Sequence, residues 1–102
     1  MNDFTSKDAD SARDLYARIE DPTARAVLDF LVDRPGERFN AAAIQQQLNL
    51  PQHRDVALAM YYLGHRCAEV GKTRPWNEAQ VGYLLSPDLA ELFRKARNGH
   101  TG

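Results

Sequence analysis

The chain has 102 residues, a formal net charge of −1 and 43% hydrophobic residues, which is the composition of a single globular domain. No apolar run approaches the roughly 18 residues that a membrane-spanning helix needs, so we expect no membrane partner. The N-terminus is acidic and polar, unlike a signal peptide, and the single cysteine, Cys67, cannot form an internal disulfide. We therefore expect a cytoplasmic protein.

Charge is distributed unevenly along the chain. Residues 1–33 carry eight acidic and four basic side chains, whereas residues 34–102 carry six acidic and nine basic ones, together with all three histidines. This asymmetry permits a modest basic face opposite an acidic one.

The first two predicted elements are helices. One lies between about Lys7 and Ile19, where apolar residues recur at helical spacing. Asp21 is a predicted N-cap and Pro22 the first residue of a second helix that runs to about Asp33. We expect residues 1–21 to form an acidic N-terminal segment with its own helix.

The third and fourth predicted helices are separated by a tight break. Asn40 is a good N-cap for the third helix, Asn49 suits a left-handed helix end, and Pro51 prevents a straight continuation. The fourth helix is predicted to start near Gln52 or His53. Its predicted inward stripe is Val56, Ala59, Met60, Leu63, Cys67 and Val70.

Gly71 ends the fourth helix, and the pattern after it changes. In "KTRPWNEAQVGYLL" the apolar residues Val81, Tyr83 and Leu85 alternate, which predicts a β-hairpin with "PWNE" near its tip. "SPD" at 86–88 then starts a last helix, and residues 99–102 are predicted to be a disordered tail.

The order of these elements resembles the winged helix-turn-helix domain over about Pro22 to Asn98. The resemblance rests on "IQQQLNL", on the stripe of the fourth helix and on the hairpin after Gly71. It implies a mainly α fold with a small β-hairpin, here with an extra N-terminal helix before the domain at 22–98. The chain is also similar to a small uncharacterised bacterial winged-helix family through "RPGER", "RCAEVGK" and "PW".

Winged-helix membership implies a recognition helix in the major groove and a hairpin beside the phosphates of double-stranded DNA. The implied function is that of a bacterial transcriptional regulator or a DNA-associated accessory factor. Arginine can pair with guanine and glutamine with adenine, so the residue types at the start of the fourth helix suit base readout. The predicted DNA-contacting residues are Gln52, His53, Arg54, Ala57, Tyr61, His65, Arg66, Lys72 and Arg74.

An alternative function is a protein-interaction module that does not bind DNA. Asp55 is unfavourable near phosphates, and aromatic and apolar residues occupy much of the outward surface of the fourth helix. The predicted protein-interaction residues are Leu58, Tyr61, Tyr62 and Trp76, although the tyrosines and Trp76 could instead pack within the chain. We also expect a homodimer in which the acidic N-terminal helix takes part.

Catalysis and metal binding find little support in the sequence. There is no glycine-rich phosphate loop, no HExxH pattern and no serine in a recognisable frame with a histidine. His65 and Cys67 are two residues apart on a helix and point in different directions, so they cannot share one ion. We expect no enzyme activity, no cofactor and no metal.

Overall fold

The computed structural model describes the backbone of residues 1–101 and the side chains of residues 1–99. In chain order these residues form α1 (Ala9–Arg18), α2 (Pro22–Val32), β1 (Arg38–Phe39), α3 (Ala41–Leu48), α4 (Arg54–Glu69), β2 (Asn77–Ala79), β3 (Gly82–Leu84) and α5 (Pro87–Thr101). The predicted class, mainly α-helical with a small β-hairpin, is confirmed. The element order is compatible with a winged-helix arrangement.

Local capping explains where the helices begin and end. The carboxylate of Asp21 accepts a hydrogen bond from the backbone N–H of Ala24, and the Asn40 side chain accepts one from Ala43. Asn49 ends α3 in the left-handed conformation with φ of 55°. All three predicted caps are therefore confirmed. They could be predicted from the sequence because a helix cap depends only on neighbouring residues.

The sheet has three antiparallel strands in the order β1-β3-β2. Ala79 pairs with Gly82, so the hairpin tip is formed by Gln80 and Val81. The prediction that "PWNE" lies near the tip is wrong, because Pro75 and Trp76 precede β2. The turn lies beside Gly82, whose φ of 128° a residue with a side chain rarely adopts. At this turn Val81 is exposed.

One core includes the N-terminal helix. Helix α1 packs on α5, and α2 packs on α4. Leu15 and Tyr16 of α1 are almost completely buried, and Phe4 contacts the ring of Phe93 with the centroids 5.1 Å apart. Residues 1–21 are thus part of the domain rather than a separate segment before it. The apolar side of α1 is used within the chain and is not available for the predicted dimer contact.

Helix α5 extends beyond the predicted end of the domain. We expected a disordered tail at 99–102, but the helix continues to Thr101, and Gly102 lies outside the described residues. The physical reason is packing, since α5 lies along α1 and Gly99 faces the side chain of Arg13. A glycine that would end an isolated helix is tolerated where a neighbouring helix supports the backbone.

Candidate functional site

Helix α4 has a buried face and an exposed face, as its sequence predicts. Its buried residues are Val56, Ala59, Met60, Leu63 and Cys67. On the opposite side six exposed residues fall within an arc of about 100° at 3.6 residues per turn. These six residues, which we call the α4 outer face, are Arg54, Ala57, Leu58, Tyr61, His65 and Ala68.

The start of α4 is fixed by a reciprocal pair of hydrogen bonds. The backbone N–H of Gln52 donates to the carboxylate of Asp55 at 3.0 Å, and the N–H of Asp55 donates to the carbonyl of Gln52 at 3.1 Å. Asp55 is half-buried, whereas Gln52, His53 and Arg54 are exposed. Within the part of the chain that the structure describes, the side chain of Arg54 has no hydrogen bond or ion pair. Three residues predicted to read bases therefore lie together at the N-terminal end of α4.

Arg66 does not belong to the α4 outer face. Its guanidinium lies 2.7 Å from the carboxylate of Glu69 and 5.0 Å from the ring centre of Tyr62. Glu69 in turn lies 3.4 Å from Arg18 of α1. The charge of Arg66 is therefore engaged by a carboxylate on the side of α4 that faces α1, and its contact with DNA stays a prediction.

Tyr62 is also turned away from the outer face. Its hydroxyl accepts a hydrogen bond from the backbone N–H of Glu20 at 2.9 Å and donates to the carbonyl of Arg18 at 3.3 Å. The ring thus holds the connection between α1 and α2 against α4. Tyr62 is half-buried by this packing within the chain, and its part in a protein-interaction surface stays a prediction.

Lys72 lies at the end of α4 and not on the hairpin. Its ammonium is 3.1 Å from the carboxylate of Asp8, and both side chains are largely buried. Asn2 pairs with the same segment, since its N–H donates to the carbonyl of Gly71. The N–H of Thr5 and then the Lys72 ammonium hold the pKa of Asp8 below its usual value. Lys72 therefore anchors the N-terminal residues. The prediction that it lies on the hairpin is wrong, and its contact with phosphates stays a prediction.

Arg74 lies between α4 and the hairpin. Its guanidinium is 3.3 Å from the carboxylate of Glu78, and it lies so close to Gly64 that a Cβ there would be 2.7 Å from Nε. The side chain is half-exposed, as is that of Glu78. Arg74 is thus near the predicted location, but it has a carboxylate beside it.

Trp76 is buried, although a tryptophan between Pro75 and Asn77 was a candidate for an exposed contact. Only 6% of it is exposed, and its indole N–H donates to the carboxylate of Glu78 at 2.8 Å. The protein-interaction prediction for Trp76 is therefore wrong. Trp76 instead packs within the chain, as the alternative prediction had it, and its hydrogen bond to Glu78 satisfies the polar N–H of the indole ring.

The α4 outer face includes large apolar side chains that are exposed. Leu58 is 60% exposed and Tyr61 is 62% exposed, although large apolar side chains are usually covered. The ring of Tyr61 lies edge-on to that of His65, with the centroids 4.5 Å apart. Ala68 also belongs to this face, although it is not among the predicted residues. Its signal was the seven-residue spacing from Arg54 through Tyr61.

The nucleophilic and metal-binding side chains do not converge. Burial raises the pKa of the Cys67 thiol to about 12, so this cysteine is an inert part of the core at neutral pH. Among the described residues, no group of three or more His, Cys, Asp or Glu side chains is arranged to hold a metal ion. In residues 1–101, no helix has both the length and the apolarity needed to cross a bilayer.

Comparison with known proteins identifies a family but no activity. The chain belongs to the family of unknown function DUF6416, whose model matches residues 9–100. No curated protein and no solved structure matches the chain.

Proposed function

We propose that this chain is a winged-helix protein that binds another protein through the α4 outer face. The observation that carries the proposal is the exposure of Leu58 and Tyr61, three residues apart on one side of α4. Exposed apolar side chains that adjoin each other are typical of interaction sites, whereas single ones are common on any surface.

The charges near α4 also favour a protein partner. Of the four Arg and Lys residues predicted to contact DNA, three lie within 3.3 Å of a carboxylate: Arg66, Lys72 and Arg74. An exposed ion pair contributes only about 0–1 kcal/mol, so such pairs can open. Opening them would leave Glu69 and Glu78 close to the phosphates, where each carboxylate opposes binding.

Burial of the apolar side chains of the α4 outer face would supply the attraction to a protein partner that the paired charges near α4 do not. At about 25 cal/mol per Å² of apolar surface, covering the exposed parts of Leu58 and Tyr61 would contribute roughly 1–2 kcal/mol each. Tyrosine is also enriched among the residues that dominate protein interfaces, because it buries a large area with little loss of side-chain freedom. Ala57 and Ala68 beside them would let a partner approach the helix closely.

Site-specific photo-cross-linking in cells tests the proposal. A photo-reactive phenylalanine analogue replaces Tyr61, and in the matched control it replaces Ala17, which is exposed on α1. We expect covalent adducts with protein at position 61 and none at position 17 after irradiation. Adducts at neither position, in a chain whose thermal melt matches the parent, would contradict the proposal.

A second candidate function is DNA binding, and the environment of Arg54 favours it. Arg54 is exposed at the N-terminal end of α4 beside Gln52 and His53, and no carboxylate pairs with it among the described residues. The helix N-terminus adds a favourable field for phosphate. With so few unpaired cations, the slope of log K against log salt would be about −2.

Titration of a fluorescent duplex at several salt concentrations tests this candidate. Under the DNA hypothesis, Arg54→Ala should weaken binding by about 1–3 kcal/mol. Lys7→Ala is the matched control, because Lys7 is also an exposed cation and lies outside α4. Equal affinities for the parent and Arg54→Ala, or no binding at low salt, would exclude DNA readout by this helix.

A further inference from the structure

The residues that precede α1 contact the segment that follows α4. The N–H of Asn2 donates to the carbonyl of Gly71 at 3.3 Å, and its carbonyl accepts from the N–H of Thr73 at 3.0 Å, which forms a parallel bridge. The hydroxyl of Thr73 also donates to the carboxylate of Asp3, 70 residues earlier in the chain. Residues 1–8, which we call the N-terminal strap, are thus tied to the connection between α4 and the hairpin.

One apolar side chain anchors the N-terminal strap. Phe4 is 5% exposed and its ring lies edge-on to that of Phe93 in α5, whereas residues 1–3 and 5–7 are exposed. Helix α1, by comparison, buries three residues and packs along α5. Terminal segments with few buried contacts open at a free energy well below that of global unfolding. The strap is therefore held far less firmly than the helix that follows it.

Lys72 joins the anchor to the other end of the strap. Its ammonium lies 3.1 Å from the carboxylate of Asp8 and 6.0 Å from the ring centre of Phe4. The same carboxylate accepts a hydrogen bond from the N–H of Thr5 at 2.7 Å. Contacts that share partners are energetically coupled, so they form and break together. We propose that the N-terminal strap opens and closes as one unit over the ring of Phe93 while the helices and the sheet stay folded.

The closed strap covers one side of a hollow beside Trp76. The hollow has a volume of about 330 Å³ and is lined by Asp3, Phe4, Arg74, Pro75, Trp76, Asn77 and Leu89. Opening would remove the two strap residues from this lining, uncover the ring of Phe93 and free the ammonium of Lys72. The strap thus controls access to an aromatic surface. None of these residues belongs to the α4 outer face, so the inference goes beyond the proposed function and does not rest on it.

Native-state hydrogen exchange of the full chain at low urea concentrations tests whether the strap opens alone. The amide of Thr73 reports on the strap, because it donates to the carbonyl of Asn2, and the amide of Leu63, buried in α4, reports on the domain. Relative to intrinsic rates, Thr73 should exchange about 100-fold faster than Leu63 or more. Its rate should also depend less on urea, because opening the strap exposes little surface. Equal protection and equal urea dependence of the two amides would overturn the proposal.

Two matched phenylalanine variants separate strap opening from global unfolding. Phe4→Ala removes the anchor and should accelerate exchange of Thr73 about tenfold or more, with Leu63 still the better protected amide. Phe30→Ala removes a buried ring of the domain itself, so it should accelerate Leu63 about tenfold or more but Thr73 by less than about twofold. Asp8→Asn, which keeps the anchor, should accelerate Thr73 by about threefold or more. The proposal is overturned if Phe30→Ala accelerates both amides equally, or if Phe4→Ala leaves both unprotected.

Tryptophan fluorescence tests what the opening uncovers. Trp76 is the only tryptophan of the chain and is 6% exposed. In Phe4→Ala, acrylamide should quench its fluorescence about twofold more strongly than in the parent, because the strap no longer closes the hollow. Ser6→Ala changes an exposed residue of the strap and should quench as the parent does. Unchanged quenching in Phe4→Ala would show that the strap does not cover this hollow, which overturns its assigned role.

Discussion

Replacing Gly82 by alanine should destabilise the sheet far more than the same change at Gly71. Both glycines have positive φ, 128° at Gly82 and 76° at Gly71, so each alanine would be strained by roughly 1–3 kcal/mol. Only Gly82 faces a steric conflict as well. A Cβ there would lie 2.2 Å from the carbonyl oxygen of Phe39 and 2.7 Å from the backbone nitrogen of Asn40, whereas a Cβ added at Gly71 would meet no atom within 4 Å apart from its chain neighbours.

The expected cost follows from that contact. Backbone atoms of β1 cannot move aside as a side chain would, so β1 must separate from β3 and weaken the pairing of Phe39 with Tyr83. Loss of one or two backbone hydrogen bonds between β1 and β3 adds about 1–3 kcal/mol to the cost of the substitution. We expect Gly82→Ala to lower the free energy of unfolding by about 2–6 kcal/mol and Gly71→Ala by about 1–3 kcal/mol. Urea unfolding followed by circular dichroism measures both values. If the two variants are equally stable, the close approach of β3 to β1 is not as described.

Two further predictions concern buried polar contacts. Tyr16→Phe should lower the free energy of unfolding, measured by heat or urea, by about 1–2 kcal/mol, because it removes the 2.9 Å hydrogen bond from the buried hydroxyl to the Asp29 carboxylate. An unchanged stability would show that this bond contributes nothing. Asp8→Asn should lower the free energy of unfolding near neutral pH. The N–H of Thr5 and the ammonium of Lys72 hold the pKa of Asp8 below its usual value, so the charged carboxylate favours the folded state. That contribution is present above the unfolded value of about 4 and is lost as pH falls through the lower folded pKa. The difference in stability between the parent and Asp8→Asn should therefore shrink as the pH is lowered below about 4. A difference that stays constant as the pH is lowered would contradict the assignment.

The sequence predicts features that depend on neighbouring residues. The caps at Asp21, Asn40 and Asn49 and the two faces of α4 follow from local hydrogen bonding and from helical periodicity, and all are observed. Periodicity also separated Leu58 and Tyr61, both exposed, from the buried stripe. These local signals were sufficient to identify the surface on which the proposed function rests.

Contacts between distant parts of the chain could not be predicted in this way. Tyr62 looked outward by spacing, but its hydroxyl meets the backbone of Glu20, 42 residues earlier. Lys72 looked like a hairpin cation, yet it pairs with Asp8 from the N-terminal segment. The pairings depend on how α1 packs over the domain, and no local pattern in residues 62–76 contains that information.

The same long-range packing offsets part of the charge asymmetry of the sequence. Lys72 pairs with Asp8 at 3.1 Å, and Arg97 lies 2.9 Å from Asp33, so acidic residues of the first third neutralise basic residues of the rest.

On the α4 outer face the exposed apolar side chains of Leu58 and Tyr61 lie beside Arg54, whose side chain has no ion pair among the described residues. Association of a protein partner with this face should depend weakly on salt, because burial of apolar surface is not screened and only the contacts of Arg54 are. Raising the salt concentration of a cell extract from about 50 to about 500 mM should change the yield of photo-cross-linked protein adducts at position 61 by less than about threefold. A much steeper loss of adducts would show that charge, and not the apolar side chains, holds the partner on this face.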